Sequence, residues 1–226
     1  MSTLVYEKKV DGLILPSSCV HEKLLRMLNK EQFPYVILGE PAIRAEELTW
    51  VDVDNQSGSW QATMHLFEQG YQKVAFVTEN QGTVFAQNRE KGYYRAIEDQ
   101  GNGQPIILNC RNDYKILPEA LEEQLKTERP DAFLCANNVI AYHVLKYLKQ
   151  KGLAIPQQVG IVTFDNYPLA EYMDPPLSAV DVDTFQLGRK ATELLIGKIS
   201  RKEKERKTKI LEVRLLFRES SCKGGK

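Results

Sequence analysis

Short apolar runs alternate along the chain with stretches in which apolar residues recur every three or four positions. Runs of the first kind suit strands buried on both faces, and stretches of the second suit helices with one apolar face. The pattern predicts strands over Asp11–Pro16, Tyr35–Leu38, Trp50–Asp54, Lys73–Val77, Gln104–Leu108, Ala132–Ala136, Val159–Phe164 and Ile210–Arg218. Between them it predicts helices over Val20–Asn29, from Asn55 or Ser57 to Gly70, from about Ala86 to Asp99, over Leu117–Thr127, around Ile140–Leu148, and from Phe185 to about Ile199. Gly70 and Gly152 stand where a helix C-terminus favours glycine. Asp165–Leu177 is rich in turn residues and reads as a loop. Strand and helix in alternation give an α/β fold of parallel sheets flanked by helices.

Such sheets bind ligands just beyond the carboxyl ends of their strands. That rule singles out Pro16–Ser18, Gly39–Glu40, Thr78–Arg89, Asn137–Asn138 and Asp165–Asn166. Within this set Arg89 opens a helix, Asn137 directly follows AFLCA, and Asp165 directly follows GIVTF. A guanidinium, an amide and a carboxylate at one mouth supply donors and acceptors for a hydroxyl-rich ligand. The competing reading is that Asn137 and Asp165 only cap the following helix or turn.

Enzyme signatures are missing from the sequence. It has no GxGxxG, no GxxxxGK[ST] and no GxSxG, so the motifs call for no nucleotide cofactor and no activated serine. The histidines His21, His65 and His143 all fall in helical segments, where structural roles are expected. The pairs Asp52/Asp54 and Asp181/Asp183 suit strand-end capping better than acid–base work. Cys19, Cys110, Cys135 and Cys222 are too scattered for a zinc site or a disulfide framework, so neither is expected.

Thirty basic and thirty acidic residues cancel, which disfavours a free-standing nucleic-acid binder. The basic run Lys198–Lys209 contains two glutamates and reads as a solvated loop. No run is long enough to span a bilayer, and Met1–Val10 lacks an apolar secretory core, so a cytoplasmic location is expected.

The ordered series DGLIL, VDVDNQSG, FEQGYQKVAFV, REKGYYRAIEDQG, PDAFLCANN, VGIVTFDN, DPPLSAV and LGRKATELL resembles the lactose-repressor (LacI/GalR) family from Asp11 to about Glu219. The resemblance implies a two-lobed, periplasmic-binding-protein-like type I fold. Its first lobe would comprise 1–53 and 183–206, and its second 54–182 and 207–226. It implies ligand-binding roles for Arg89 in R-x-x-G-Y, for Asn137 in the A-N-D motif, and for Asp165 as first aspartate of F/Y-D-D. Tyr114 falls where some members stack an aromatic on a sugar; a plain surface or core role is the alternative.

The expected partners are a small-molecule effector, a sugar or sugar-like metabolite, and a second copy of the chain in a homodimer. Operator DNA would be reached only through a helix-turn-helix headpiece that this sequence does not contain. Two strand–helix units that normally precede DGLIL are also lacking, on the order of 50 residues, so the first lobe is expected to be truncated at its N-terminus. Departures fall at Asn138 and Asn166, where the family has aspartates, and at Val182, where glutamine is common. The leading expectation is the effector-sensing core of a transcriptional regulator. A solute-binding protein of a sugar transport system would share the fold, and an enzyme on a doubly wound sheet is the third class.

Overall fold

In a computed structural model, ten strands and six α-helices form among the described residues, which are 5–7, 9–79, 82–101, 103–111, 113–200 and 205–224. The chain divides into two compact units. One comprises Met1–Asp54, Thr83–Phe85 and Asp183–Glu212, and the other Asn55–Gly82, Ala86–Val182 and Val213–Lys226.

The first unit holds a parallel sheet of β1 (Leu13–Pro16), β2 (Tyr35–Leu38), β3 (Trp50–Val53) and β9 (Thr208–Leu211), in that spatial order. Helices α1 (Glu22–Lys30) and α6 (Thr184–Ser200) cover it. Successive strand residues point to opposite faces, and β2 uses both. Ile37 packs with Leu25 of α1, Leu48 and Trp50, while Val36 packs with Val51 and Ala191 of α6. A continuous apolar run is therefore what β2 requires.

The second unit holds a six-stranded sheet in the order β10 (Arg214–Leu216), β8 (Ser178–Asp181), β7 (Gly160–Phe164), β6 (Ala132–Cys135), β4 (Val74–Thr78) and β5 (Ile106–Asn109). All its pairings are parallel except β10 with β8. Its helices are α2 (Asn55–Glu68), α3 (Val84–Gln100, of which the first two residues group with the other unit), α4 (Leu117–Thr127) and α5 (Asn138–Gln150). Every residue of β4, β6 and β7 is buried. Two buried tyrosines bond inward. Tyr93 Oη donates to Val74 O at 2.8 Å and accepts from Ile106 N–H at 2.8 Å, joining β4 to β5. Tyr71 Oη donates to Pro156 O at 2.6 Å, and its ring lies where a Cβ on Gly160 would sit, at 2.5 Å.

Two expectations need correction. Ile210–Arg218 was expected to be one strand, and 207–226 wholly part of the second lobe. Instead β9 joins the first unit's sheet beside β3, and β10 joins the second beside β8. Both are edge strands, with Thr208–Ile210 exposed in β9 and only Arg214 exposed in β10, and the apolar–polar alternation read along the sequence does not mark the change of sheet. The short segment Ser178–Asp181, bounded upstream by prolines, also forms a strand that periodicity alone does not announce. Of the basic run, residues 201–204 lie outside the described residues.

Among the described residues, no helix is long and apolar enough to cross a membrane, and no cluster of His, Cys, Asp or Glu could hold a metal ion. None of the four cysteines is in a disulfide.

Candidate functional site

The sheet order of the second unit decides which loops become neighbours. β7, β6, β4 and β5 are adjacent and parallel, so their carboxyl ends lie in a row at about 4.8 Å spacing. Asp165 follows β7, Asn137 follows β6 by one residue, Glu79 follows β4, and Tyr114 lies in the loop after β5. Arg89 reaches this row from α3.

Arg89 is 7 % exposed and its guanidinium is held on several sides. Nε donates to Asn55 Oδ1 at 2.8 Å, and Nη1 donates to Ala136 O at 2.6 Å. Nη2 lies 3.6 Å from Asp165 Oδ1, and the guanidinium carbon sits 4.0 Å above the Phe164 ring. The R-x-x-G-Y motif explains this reach. A Cβ at Gly92 would come within 2.1 Å of Gln56 O, so only glycine lets α3 approach α2 closely enough for Arg89 to meet Asn55. Tyr93 then anchors α3 to the sheet.

Asp165 adopts a left-handed conformation (φ 64°), which aspartate tolerates better than most residues. Burial pushes its carboxyl above the ordinary carboxylate value, and Arg89 pulls it back. Asn138, fully buried, fixes the turn: Nδ2 donates to Phe164 O at 3.1 Å and to Asp165 O at 2.8 Å. An aspartate here, as the family commonly has, could make neither bond. The second departure is also bonded, since Arg218 Nη2 donates to Asn166 Oδ1 at 2.9 Å.

Asn137 does cap a helix: its Oδ1 accepts from Ile140 N–H at 2.9 Å. Its Nδ2 donates to Glu79 Oε1 at 2.9 Å. Tyr114 Oη donates to Glu79 Oε2 at 2.5 Å, and its ring stacks on His143 with centroids 5.2 Å apart. Burial first, and the bond to Glu79 second, push the Tyr114 hydroxyl up to about 12, so it stays protonated at neutral pH. The four residues chosen from sequence thus belong to one chain of contacts, from Asp165 through Arg89, Ala136 and Asn137 to Glu79 and Tyr114.

Glu79 and His143 are the two members that sequence reasoning passed over. Glu79 lies within the strand-end window but carries no distinguishing pattern. His143 sits in α5 as expected, yet its ring reaches the site row through Tyr114. The other histidines are structural. His21 caps α1 by accepting from Leu24 N–H at 3.3 Å, and His65 Nε2 meets Ser221 Oγ at 2.8 Å. Asp52 accepts from Glu40 N–H at 2.9 Å and Asp183 from Gln186 N–H at 2.8 Å, which are capping bonds.

The periplasmic binding protein-like domain family matches residues 63–221. The HTH-type transcriptional repressor PurR of Aliivibrio fischeri (strain MJ11) is 29 % identical over 227 residues, which cover 96 % of this chain and 66 % of PurR. A solved transcriptional regulator CelR–cellobiose complex matches with a TM-score of 0.87 at 30 % identity, covering 97 % of this chain and 68 % of that one. A LacI family transcriptional regulator from Enterococcus faecium with bound ribose matches with a TM-score of 0.86 at 26 % identity, covering 97 % and 82 %. The chain spans 62–66 % of the length of the curated relatives it matches. By fold, sequence and the extent of the match, this chain belongs to the periplasmic binding protein-like domain family, in the form carried by LacI-family transcriptional regulators.

Proposed function

We propose that this chain is the effector-sensing core of a LacI-type transcriptional regulator and binds a small polar metabolite, a sugar or sugar-like molecule, at the strand-end row of its second unit. The observation that carries this reading is the single contact chain linking Asp165, Arg89, Asn137 and Tyr114. Arg89 supplies a guanidinium already fixed by its neighbours, so little side-chain entropy is lost when a ligand arrives. Asp165 supplies carboxylate oxygens, Asn137 an amide, and Tyr114 an aromatic face for the C–H side of a sugar ring. The reading assigns no chemistry to the site. The regulator works as a homodimer in the cytoplasm and reaches operator DNA through a separate headpiece. The kinship with transcriptional regulators supports this over a transport role.

A thermal-shift screen against mono- and disaccharides, their phosphates and nucleobases tests the reading. A ligand at 100 times its Kd adds about 2.7 kcal/mol to stability. The stabilisation is expected to vanish in both Arg89→Ala and Asp165→Ala, with each variant checked for a cooperative melt. A hit that survives both substitutions places the ligand elsewhere, and turnover of a ligand overturns the non-catalytic assignment.

A further inference from the structure

Glu79 is a strand-end residue that no sequence motif marks. It lies after β4, between the ends of β6 and β5, and both carboxylate oxygens are aimed along the row. Oε1 accepts from Asn137 and Oε2 from Tyr114, so the carboxylate is held in place by two donors. An ionised carboxylate has about four lone-pair sites; the two bonds orient it and leave its acceptor character intact.

Formal charge along the row then decides what can be bound. Arg89 is positive and faces the carboxylate of Asp165 at 3.6 Å, so these two balance. Asn137 and protonated Tyr114 are neutral. Glu79 is left as the uncompensated charge of the contact chain, and it is negative. Arg111 and Lys115, in the loop carrying Tyr114, are exposed, where salt screens them. An anionic group entering the row meets a like charge in a partly desolvated site, which disfavours it. A ligand hydroxyl meets an acceptor that strengthens the bond it donates.

Resting on the effector-site reading above, we infer that Glu79 is a specificity residue that selects uncharged, polyhydroxylated effectors and rejects their phosphorylated or carboxylated counterparts. Its two bonds make it more than a prop for Tyr114, because the selection depends on its charge and not on its shape.

Calorimetric titration at pH 8 and in physiological salt tests this with matched pairs: glucose and glucose 6-phosphate, and ribose and ribose 5-phosphate, with cellobiose as a larger neutral probe. The neutral member of a binding pair is expected to bind at least about tenfold more tightly than its phosphate, the range of one charge-assisted hydrogen bond. Glu79→Gln, which keeps the shape and removes the charge, is expected to narrow that ratio about tenfold; Glu79→Asp, which keeps the charge, is expected to preserve most of it. An unchanged ratio in Glu79→Gln, or a lost one in Glu79→Asp, overturns the assignment. Should Glu79→Gln fail to melt cooperatively, the wild-type ratio and Glu79→Asp decide. A phosphate that binds more tightly than its neutral partner and is lost in Arg89→Ala overturns the selectivity while leaving the effector site standing. No binding by any probe overturns the effector site and this inference together.

Discussion

Gly92 shows how one missing side chain places another. At an exposed helix position, glycine to alanine gains about 1 kcal/mol from propensity alone. Here the added Cβ would lie 2.1 Å from Gln56 O, a backbone atom that cannot swing away. Overpacking of this kind costs about 3 kcal/mol, so the steric term wins. Gly92→Ala is expected to lower stability by about 2 kcal/mol in denaturant titration and to weaken any ligand that depends on Arg89. Asn138 makes a second test. Replacing its amide by carboxylate sets an acceptor against Phe164 O and Asp165 O in a fully buried place. Asn138→Asp is expected to cost about 3 kcal/mol, although it restores the residue the family commonly has. An unchanged denaturation midpoint would show that the turn at Asp165 does not depend on that amide.

Elements differ in how far they could be read in advance. β4, β6 and β7 are buried throughout, and their apolar runs announced them. The ends of α4 were also legible, because Pro118 suits a first turn and the apolar spacing stops at Thr127. β9 and β10 were not, because each is an edge strand and the sheet it joins is fixed by packing rather than by alternation. The site followed the same division. Asn137 and Asp165 follow strand ends that the pattern locates, and Arg89 lies in the second turn of α3, which begins two residues earlier than the pattern placed it; Glu79 gains its role only because β4 lies between β6 and β5.

The segment after β10 shows a further dependence on packing. Ser220 Oγ donates to Ile161 O at 2.7 Å and accepts from Ser178 N–H at 2.8 Å, while Ser221 joins Ser178 to His65. Burial lowers the His65 pKa below its ordinary 6.5. The unfolded chain therefore takes up the proton first as pH falls. This contribution to stability is complete above about pH 6.5 and is lost as pH falls toward the folded-state value. Melting temperatures measured from pH 7.5 down to 5 are expected to decline in the wild type and to decline less in His65→Gln; parallel curves would remove His65 as the source.

At the scale of the whole molecule, the two units are unlike in a way that sets local stability. Opening free energies rise with burial and with pairing on both strand edges. β6 is fully buried and paired to β4 on one side and β7 on the other. β4 and β7 are likewise paired on both sides. In the first unit, β1 and β9 are both edge strands of a four-stranded sheet; Ile14 is 39 % exposed and Ile210 58 %. Hydrogen exchange is therefore expected to be slowest in peptides covering Val74–Thr78, Ala132–Cys135 and Gly160–Phe164. Exchange at Leu13–Pro16 and Thr208–Leu211 is expected to be at least about 100-fold faster, equivalent to about 2.8 kcal/mol of opening free energy. The same experiment locates the ligand. An effector held by the row should add protection where β4, β6 and β7 end, around Glu79, Asn137 and Asp165, because those backbone segments carry the contacting side chains. Uniform protection across both sheets would mean that the molecule opens as one cooperative unit, and added protection remote from those three strand ends would move the effector away from the row.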